Sequence, residues 1–359
     1  MRLRRLWLTD FRNYESADVE PALDGLTVIR GDNGEGKTNL LEAVGYLTSL
    51  SSFRGVPTEA LVRDGAERAV VRGEGDRDGR QLLIEVEIPR SGRGRAQVNR
   101  QPIKRTADLS AAFRVSVFSP DDLVLVKGGP AERRRYLDDL LVSLHPRHDA
   151  LRADVERVLR QRGALLRQAG GRLTGEVATT LDVWDTQLAA AGEALATARD
   201  ELVAALAPEL ATAYDQLAGA PAAVAAVYQR SWQGALADAL ATSRPDDVRR
   251  GATLVGPHRD ELALSVGALP ARTHASQGEQ RSLALALRLA GHRNVSSSVG
   301  SPPVLLLDDV FSELDPARSE ALLAHLPAGQ ALLTSAGAVP GGASPALELR
   351  VAAGKVLSP

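Results

Sequence analysis

One octapeptide constrains the fold of this 359-residue chain more than any other feature. Residues 31–38 read Gly-Asp-Asn-Gly-Glu-Gly-Lys-Thr and match the pattern G-x-x-x-x-G-K-[ST]. The run Leu26–Arg30 before it is typical of a strand, and the segment Asn39–Leu50 after it is typical of a helix. This order of strand, glycine-rich loop and helix predicts an α/β domain with a phosphate-binding loop.

The octapeptide has the residue types that ATP binding requires. Small residues let successive backbone N–H groups curve around a phosphate, beside the positive end of the following helix. We expect Lys37 to contact the β- and γ-phosphates of ATP and the Thr38 hydroxyl to hold Mg²⁺. The predicted nucleotide contacts are Gly31, Asp32, Asn33, Gly34, Glu35, Gly36, Lys37 and Thr38.

A second strand is predicted to supply the acids of the same site. Val304–Leu307 is wholly apolar, as is typical of a central parallel strand buried on both faces. It ends in Asp308, the expected second Mg²⁺ ligand, and Asp309, which we expect to polarise the attacking water. The predicted catalytic residues are therefore Asp309, Lys37 and Asp308.

The spacing of apolar residues divides the chain. Strands are predicted at Leu3–Leu8, Gln81–Ile88 and Ala331–Thr334, whereas residues 130–241 have helical spacing. A heptad-like stripe from Leu181 to Leu202 follows a break at Gly170–Gly171, which indicates a short antiparallel helical hairpin or an ordinary bundle. The predicted fold is an α/β lobe with a mixed sheet, residues 1–117 and 250–359, interrupted by a mainly helical lobe, residues 118–249.

Composition excludes several classes of protein. There is no cysteine, so disulfide frameworks and cysteine-ligated metal sites are ruled out. No segment has the pattern of a signal peptide or a membrane-spanning helix, so we expect a cytoplasmic protein without membrane partners. The net charge of −2 argues against general coating of nucleic acid.

A local basic segment nevertheless predicts DNA contacts. Between Ile88 and Asp108 there are six basic residues and no acid, with interleaved glycines that suit contact with phosphates. The alternative is a solvated loop balanced by nearby acids. A second candidate is residues 133–135, three arginines of which at least one is expected to pair inside the protein. The predicted DNA contacts are Arg90, Arg93, Arg95, Arg100, Lys104 and Arg105.

A third motif indicates which class of phosphate-binding-loop protein this is. Residues 276–280, Ser-Gln-Gly-Glu-Gln, precede an apolar helix and resemble the signature motif of ABC-type ATPases. Residues 312–315 resemble the D-loop of that class. Transporter ATPases have a shorter spacing and usually a histidine where this chain has Thr334 and Ser335, so one of those two would take its role. The coiled-coil chromosome ATPases have far longer insertions.

Along nearly its whole length the chain resembles the RecF family of bacterial recombination mediators, ABC-type ATPases of the SMC-like group. The segments that carry the resemblance are 10–14, 31–38, 118–123, 126–128, 133–138, 256–260, 276–280 and 308–315. The sequence departs from the general pattern of ABC-type ATPases in two places. Asp309 stands where many relatives have glutamate, and residues 118–123, in the place of the Q-loop, contain no glutamine. The histidine of residues 256–260, His258, is interpreted as a family landmark and not as a catalytic group.

The resemblance implies a weak, DNA-stimulated ATPase that dimerises around ATP, clamps DNA at gaps or junctions and releases it on slow hydrolysis. It also implies action with RecR, and with RecO, in loading RecA during recombinational repair, replication restart and SOS induction. A nuclease-associated repair ATPase and a transporter ATPase subunit are the alternatives. By residue match, the resemblance adds the nucleotide contacts Arg12, Asn13, Ser276, Gly278, Glu279, Gln280 and Asp315.

Overall fold

The computed structural model describes residues 1–77, 79–219, 222–337, 339 and 342–357. The strands in these ranges are β1 (Arg2–Phe11), β2 (Tyr14–Val19), β3 (Gly25–Arg30), β4 (Arg68–Arg77), β5 (Arg80–Pro89), β6 (Arg95–Val98), β7 (Gln101–Pro102), β8 (Val115–Phe118), β9 (Val224–Gln229), β10 (Glu261–Val266), β11 (Leu269–Pro270), β12 (Val304–Asp308), β13 (Gln330–Ser335), β14 (Leu347–Ala352) and β15 (Lys355–Leu357).

The α-helices are α1 (Lys37–Ser49), α2 (Ala107–Ala112), α3 (Val124–Lys127), α4 (Pro130–Leu144), α5 (His148–Gln168), α6 (Gly175–Ala218), α7 (Leu236–Arg250), α8 (Ala271–His274), α9 (Gln277–Val299) and α10 (Pro316–Ala324). Short 3₁₀ helices span Thr58–Leu61, Pro120–Leu123 and Val310–Glu313. The chain divides into two compact units, Met1–Leu123 with Thr212–Ala222 and Arg281–Pro359, and Val124–Ala211 with Ala223–Gln280.

Two six-stranded sheets build the first unit. One is antiparallel, in the order β2-β1-β4-β5-β6-β7. The other has the order β15-β14-β3-β13-β12-β8 and is parallel except for the pairing of β14 with β15. All five residues of β12 are buried, and β12 pairs in parallel with β13 and β8. The mixed α/β ATPase-type sheet that the sequence predicted is therefore confirmed.

Helix α1 begins at Lys37 and is almost wholly buried. Ten of its thirteen residues are buried, and its apolar side chains share one core with residues of both sheets. An apolar helix in contact with other structure on all sides is typical of the interior of a large domain. This packing fixes the position of the loop that leads into the helix.

The second unit is mainly helical, as expected, and also contains a sheet. Helices α5 and α6 run antiparallel, because Arg162 bonds Asp185 while Arg157, farther from the turn, bonds Gln187. The heptad leucines 181, 188, 195 and 202 of α6 are buried. The break between the helices contains Gly170 and Gly171, both in the left-handed region.

The helical region expected for residues 130–241 is interrupted by a strand, which corrects that expectation. Residues 224–229 form β9, which pairs antiparallel with β10, and β10 pairs with β11. The run Val-Ala-Ala-Val-Tyr suits a pleated surface once a partner strand is available. This pairing also groups residues 250–280 with the second unit, whereas the sequence suggested that the insertion ends at 249.

Candidate nucleotide-binding site

The octapeptide connects β3 to α1 and has the backbone that its glycines suggest. Gly34 and Gly36 have φ values of 87° and 112°, which glycine adopts without strain. A Cβ at Gly36 would also lie 2.6 Å from both the amide oxygen and the amide nitrogen of Asn13. Gly36 is therefore required by backbone conformation and by the close approach of Asn13.

The ammonium group of Lys37 lies over the same loop. Its Nζ donates to the carbonyl oxygens of Gly31 and Asp32, each at 2.8 Å, and the residue is 7% exposed. These bonds place a positive charge beside the loop backbone, where the residue pattern requires it for phosphate. Asp32 and Asn33 are at the surface of the loop.

Thr38, Asp308 and Thr334 form one hydrogen-bonded cluster, called here the Asp308 cluster, in which Thr38 is half-buried. The hydroxyls of Thr38 and Thr334 donate to Oδ1 of Asp308 at 2.7 and 2.8 Å. Thr334 Oγ1 also accepts from the backbone N–H of Asp309 at 2.9 Å. Because β12 and β13 are parallel and Asp308 is opposite Thr334, the cluster lies at the carboxyl end of the sheet.

Burial raises the pKa of Asp308 above the ordinary carboxyl range. The hydrogen bonds from Thr38 and Thr334 and the positive charge of Arg54 oppose this rise without cancelling it. Arg54 is an exposed residue of the loop after α1, and the sequence reasoning missed it. Only the three-dimensional structure shows that Arg54 acts on Asp308, because a single arginine in a serine-rich loop is not a distinctive sequence feature.

The neighbouring acid, Asp309, has an unusual backbone. Its φ of 46° lies in the left-handed region, where residues other than glycine are uncommon, and it precedes the 3₁₀ helix Val310–Glu313. The bond from its N–H to Thr334 holds this conformation. Of the two candidates for the place of the H-loop histidine, Thr334 joins both acids, whereas Ser335 bonds the carbonyl oxygen of Gly337.

Arg12 and Asn13 have different surroundings. The Arg12 guanidinium makes two bonds, of 2.7 and 2.8 Å, to the wholly buried carboxylate of Glu42 in α1. Asn13 donates to the carbonyl oxygen of Glu35 at 2.8 Å and so contacts the loop directly. Arg12 is thus committed to an internal ion pair, and its nucleotide contact stays a prediction.

The turn between β14 and β15 also holds the loop, which the sequence did not indicate. The Ala353 N–H donates to the Glu35 carboxylate, and the Gly354 N–H donates to the Glu35 carbonyl oxygen at 3.3 Å. A Cβ at Gly354 would lie 2.4 Å from the carbonyl oxygen of Asn13. Residues more than 300 positions apart in the chain therefore fix the shape of the loop.

The signature residues form a helix N-terminus. Ser276 and Glu279 make a reciprocal capping box, with N–H to side-chain distances of 2.7 and 3.3 Å, and Gly278 is the second residue of α9. Gln280 is buried, and its amide donates to the carbonyl oxygens of Ala271 and Arg272. These residues lie in the second unit.

Asp315, the D-loop residue, caps helix α10. Its Oδ1 accepts from the backbone N–H of Arg318 at 2.9 Å, and its other oxygen pairs with the Arg318 side chain. These hydrogen bonds hold the pKa of Asp315 below the ordinary carboxyl value. The side chain therefore has a local structural role in this chain.

The basic segment forms the edge hairpin β6–β7 with its flanking loops. All six basic side chains are exposed, and Arg90 pairs with Asp64 at 3.3 Å. No acid of the described ranges lies within ion-pair distance of Arg93, Arg95, Arg100, Lys104 or Arg105. In residues 133–135, Arg133 is buried against Glu261 and Arg135 is exposed, so the expected internal pairing is confirmed.

His258 has the surroundings of a structural histidine. Its Nε2 lies 3.1 Å from the carbonyl oxygen of Thr253, and burial lowers its pKa to about 4. Across the described ranges, no group of three or more His, Cys, Asp or Glu side chains could hold a metal ion. No helix in those ranges has the length and apolar character needed to cross a membrane.

Comparison with known proteins identifies relatives over almost the full length. The family described as RecF/RecN/SMC N terminal domain matches residues 2–332. DNA replication and repair protein RecF of Streptomyces avermitilis is 45% identical over 353 residues, covering 94% of this chain and 93% of that protein. The protein of the same description from Frankia alni is 46% identical over 355 residues, with the same coverage.

Comparison with solved structures identifies the same kind of fold. The recombination mediator protein RecF of the RecFOR pathway, in its ATP structure, superposes with a TM-score of 0.89 at 27% identity, covering 99% of this chain and 98% of that one. The Smc head domain of Pyrococcus furiosus superposes with a TM-score of 0.58 at 14% identity and covers 99% of this chain and 96% of its own. The second likeness concerns the fold alone.

Proposed function

The chain belongs to the RecF/RecN/SMC N-terminal domain family and groups with its RecF members, and from this premise we propose that it is an ATP-dependent DNA-binding switch. It dimerises around ATP, clamps DNA at gaps or junctions, and releases it after slow hydrolysis. It acts in the cytoplasm with RecR, and with RecO, to help load RecA in recombinational repair, replication restart and SOS induction. A RecF relative is described as a recombination mediator of the RecFOR pathway, which supports these partners.

The Asp308 cluster is the observation that carries the nucleotide part of this proposal. The Thr38 hydroxyl and the Asp308 carboxylate are 2.7 Å apart beside the phosphate-binding loop, and two oxygen ligands of this kind fit Mg²⁺. Bound there with the phosphates of ATP, Mg²⁺ would neutralise negative charge on the phosphates. Lys37 and the loop N–H groups bind and orient those phosphates.

Asp309 is the proposed base for hydrolysis. Its backbone N–H is fixed by Thr334, which also bonds Asp308, so the position of one acid depends on the other. Asp309 accepts the proton of the attacking water, or orients it, from a side chain shorter than glutamate. A shorter side chain reaches the water less well, which supports slow turnover and therefore a switch.

The dimer is proposed to complete each ATP site in trans. The capping box of Ser276 and Glu279 leaves the N-terminus of α9 at the surface, since Ser276, Gly278 and Glu279 are not buried. A helix N-terminus attracts phosphate through its dipole and its free N–H groups. The γ-phosphate bound by one copy would meet Ser276 and Gly278 of the second copy, with Asp315 near the same contact.

The β6–β7 hairpin is proposed to contact the DNA backbone. Five of its basic side chains have no acidic partner among the described residues, so their charge remains available to phosphates. This supports the DNA interpretation over the alternative of a loop balanced by nearby acids. The hairpin and its flanking loops have no aromatic residue, which favours backbone contact over base stacking.

Light scattering of the purified chain tests the switch. We expect a monomer without nucleotide and with ADP, and a dimer with ATP and Mg²⁺ that retains duplex or gapped DNA. An ATP-indifferent monomer that still binds ATP would contradict the clamp while leaving the nucleotide site intact. Binding of DNA equally well in every nucleotide state would contradict the switch.

A further inference from the structure

Two neighbouring residues of α9 are bonded to the segment that follows β12, within the first unit. Arg281 Nη1 donates to the backbone carbonyl oxygen of Glu313 at 2.9 Å, and Nη2 pairs with the Glu313 carboxylate. Arg318 Nε donates to the hydroxyl of the buried Ser282 at 3.0 Å. The segment that contains the D-loop, residues 312–315, thus has two attachments to one turn of the helix, at Glu313 and at Arg318.

Arg281 directly follows the signature residues in the chain. It belongs to the same continuous helix, α9, which begins at Gln277. Within the first unit, Arg281 therefore connects α9 to the backbone of the D-loop, and not only to a flexible side chain.

The same face of α9 carries a second ion pair. Arg288 is seven residues, or about two turns, after Arg281, so both side chains project from one face. Its Nε and Nη2 bond Asp122 at 2.9 and 2.6 Å, and Asp122 also accepts from the backbone N–H of Ser119. Helix α9 is therefore bonded to the segments that follow β8 and β12, two parallel neighbours in the sheet that carries Asp308.

We propose that Arg281 is a positioning residue that holds the D-loop against the first-unit part of α9, residues 281–299, for the ATP-bound dimer. The inference rests on the proposed function, in which the D-loop lies at the contact between the two copies. A D-loop that is already held in place by α9 loses less conformational freedom when the two copies associate. Arg281 itself acts through Glu313 and not on the nucleotide.

The exposure of the Arg281 and Glu313 side chains indicates that their ion pair contributes little to folding stability. The side chains of Arg281 and Glu313 are 34% and 44% exposed, and ion pairs of such exposure contribute little to stability. Breaking the pair should shift the thermal midpoint of the monomer by no more than about 3 °C. Its effect should instead fall on association of the two copies.

The experiment compares Arg281→Glu, Glu313→Arg and the double variant Arg281→Glu/Glu313→Arg with the unchanged full-length chain. Equilibrium sedimentation with ATP and Mg²⁺ measures dimerisation, and nucleotide titration of the monomer measures ATP binding. We expect each single variant to bind ATP normally and to dimerise at least about tenfold more weakly. The double variant should recover part of that loss, because the charges again attract.

A matched control and a second readout keep the result specific. Arg249→Glu breaks the exposed pair of Arg249 and Asp246 in α7, an equal change of charge, and should dimerise normally. Hydrogen exchange of the nucleotide-free monomer should show faster exchange of amides 312–318 in Arg281→Ala. Normal dimerisation of Arg281→Glu would overturn the positioning role of Arg281, and so would a double variant that dimerises no more strongly than the single variants. Neither result would contradict the proposed ATP-dependent dimer. If the unchanged chain does not dimerise with ATP, both the proposed ATP-dependent dimer and the positioning role of Arg281 are contradicted.

Discussion

At the scale of single residues, the site combines groups with opposite requirements. Asp308 is buried where it meets Thr38 and Thr334, yet its carboxylate would have to be ionised to act as the proposed Mg²⁺ ligand. Burial raises the pKa of Asp308, so ionising this carboxyl in the nucleotide-free protein costs free energy that a bound cation would offset. Such tension between stability and activity is common in binding sites.

The raised pKa of Asp308 predicts opposite effects on stability and binding. In the folded state the carboxyl holds its proton more tightly than in the unfolded state, so its contribution to stability is complete below the ordinary pKa and declines as the pH rises through the folded value. Asp308→Asn keeps an oxygen acceptor for both threonines. It should raise the thermal midpoint of the nucleotide-free protein at pH 7.5 and abolish the Mg²⁺ dependence of ATP affinity.

The pH profile of ATP binding checks the same residue. Because a protonated carboxyl does not ligate Mg²⁺, ATP affinity in Mg²⁺ should decline at a higher pH than an ordinary carboxyl would give. Titrations between pH 7.5 and 5, with and without Mg²⁺, measure this decline. A profile in Asp308→Asn that matches the unchanged chain would remove Asp308 from the site.

Asp309 is expected to act only in hydrolysis. Asp309→Asn should bind ATP, dimerise and then persist as a dimer, while turnover falls by about 10²-fold or more, as for loss of a general base. Asp309→Glu should retain turnover, since it restores the residue that many ABC-type ATPases have there. Unchanged turnover in Asp309→Asn would exclude the catalytic role.

At the scale of elements, helix α9 contains a buried polar side chain that has no hydrogen-bond partner among the described residues. His292 is 2% exposed, and neither of its ring nitrogens has a hydrogen-bond partner in the described ranges. Burial lowers its pKa to about 4, so the unfolded chain binds a proton that the folded chain does not between pH 6.5 and 4. Folding stability contributed by this group is therefore lost as the pH falls through that window.

A substitution in α9 isolates this effect. His292→Leu should flatten the decline of the thermal midpoint between pH 6.5 and 4, because it removes up to about 3 kcal/mol of proton linkage. His274→Leu, at an exposed position, is the matched control for loss of an imidazole. An unaltered profile in His292→Leu would show that the imidazole is not desolvated.

The β6–β7 hairpin predicts a salt effect. If Arg93, Arg95 and Arg100 each contact one phosphate, replacing all three by alanine should reduce the log–log salt slope of DNA binding by about 2 to 3. Arg90→Ala is the matched control, since Arg90 is paired with Asp64 and should change the slope less. An unchanged slope in the triple variant would place the DNA contact elsewhere.

At the scale of the whole molecule, completion of the ATP site in trans has a distinctive test. Lys37→Met should bind ATP more weakly and should not dimerise, and Ser276→Arg should bind ATP without dimerising. When the two variants are mixed, one of the two interface sites combines an intact loop with an intact signature. Sedimentation of the mixture with ATP should therefore recover dimer, whereas completion in cis would recover none.

The sequence alone predicted much of the fold and the centre of the site. Residues 31–38 and 304–309 are local patterns, in which the chemistry depends on neighbours in the chain, so they could be found without coordinates. The apolar run of β12 indicated a central parallel strand for the same reason. Their roles in binding and catalysis stay predictions that the experiments above address.

The sequence by itself therefore determined the features that depend on neighbouring residues in the chain. These are the glycine-rich loop, the strand that is apolar on both faces, and the heptad stripe. The tertiary structure decided the features whose cause is distant. Thr334 meets Asp308 through parallel strand register, Arg12 is occupied by Glu42, and the turn at Gly354 covers the loop. These contacts join residues tens to hundreds of positions apart, and burial, not local propensity, brings them together.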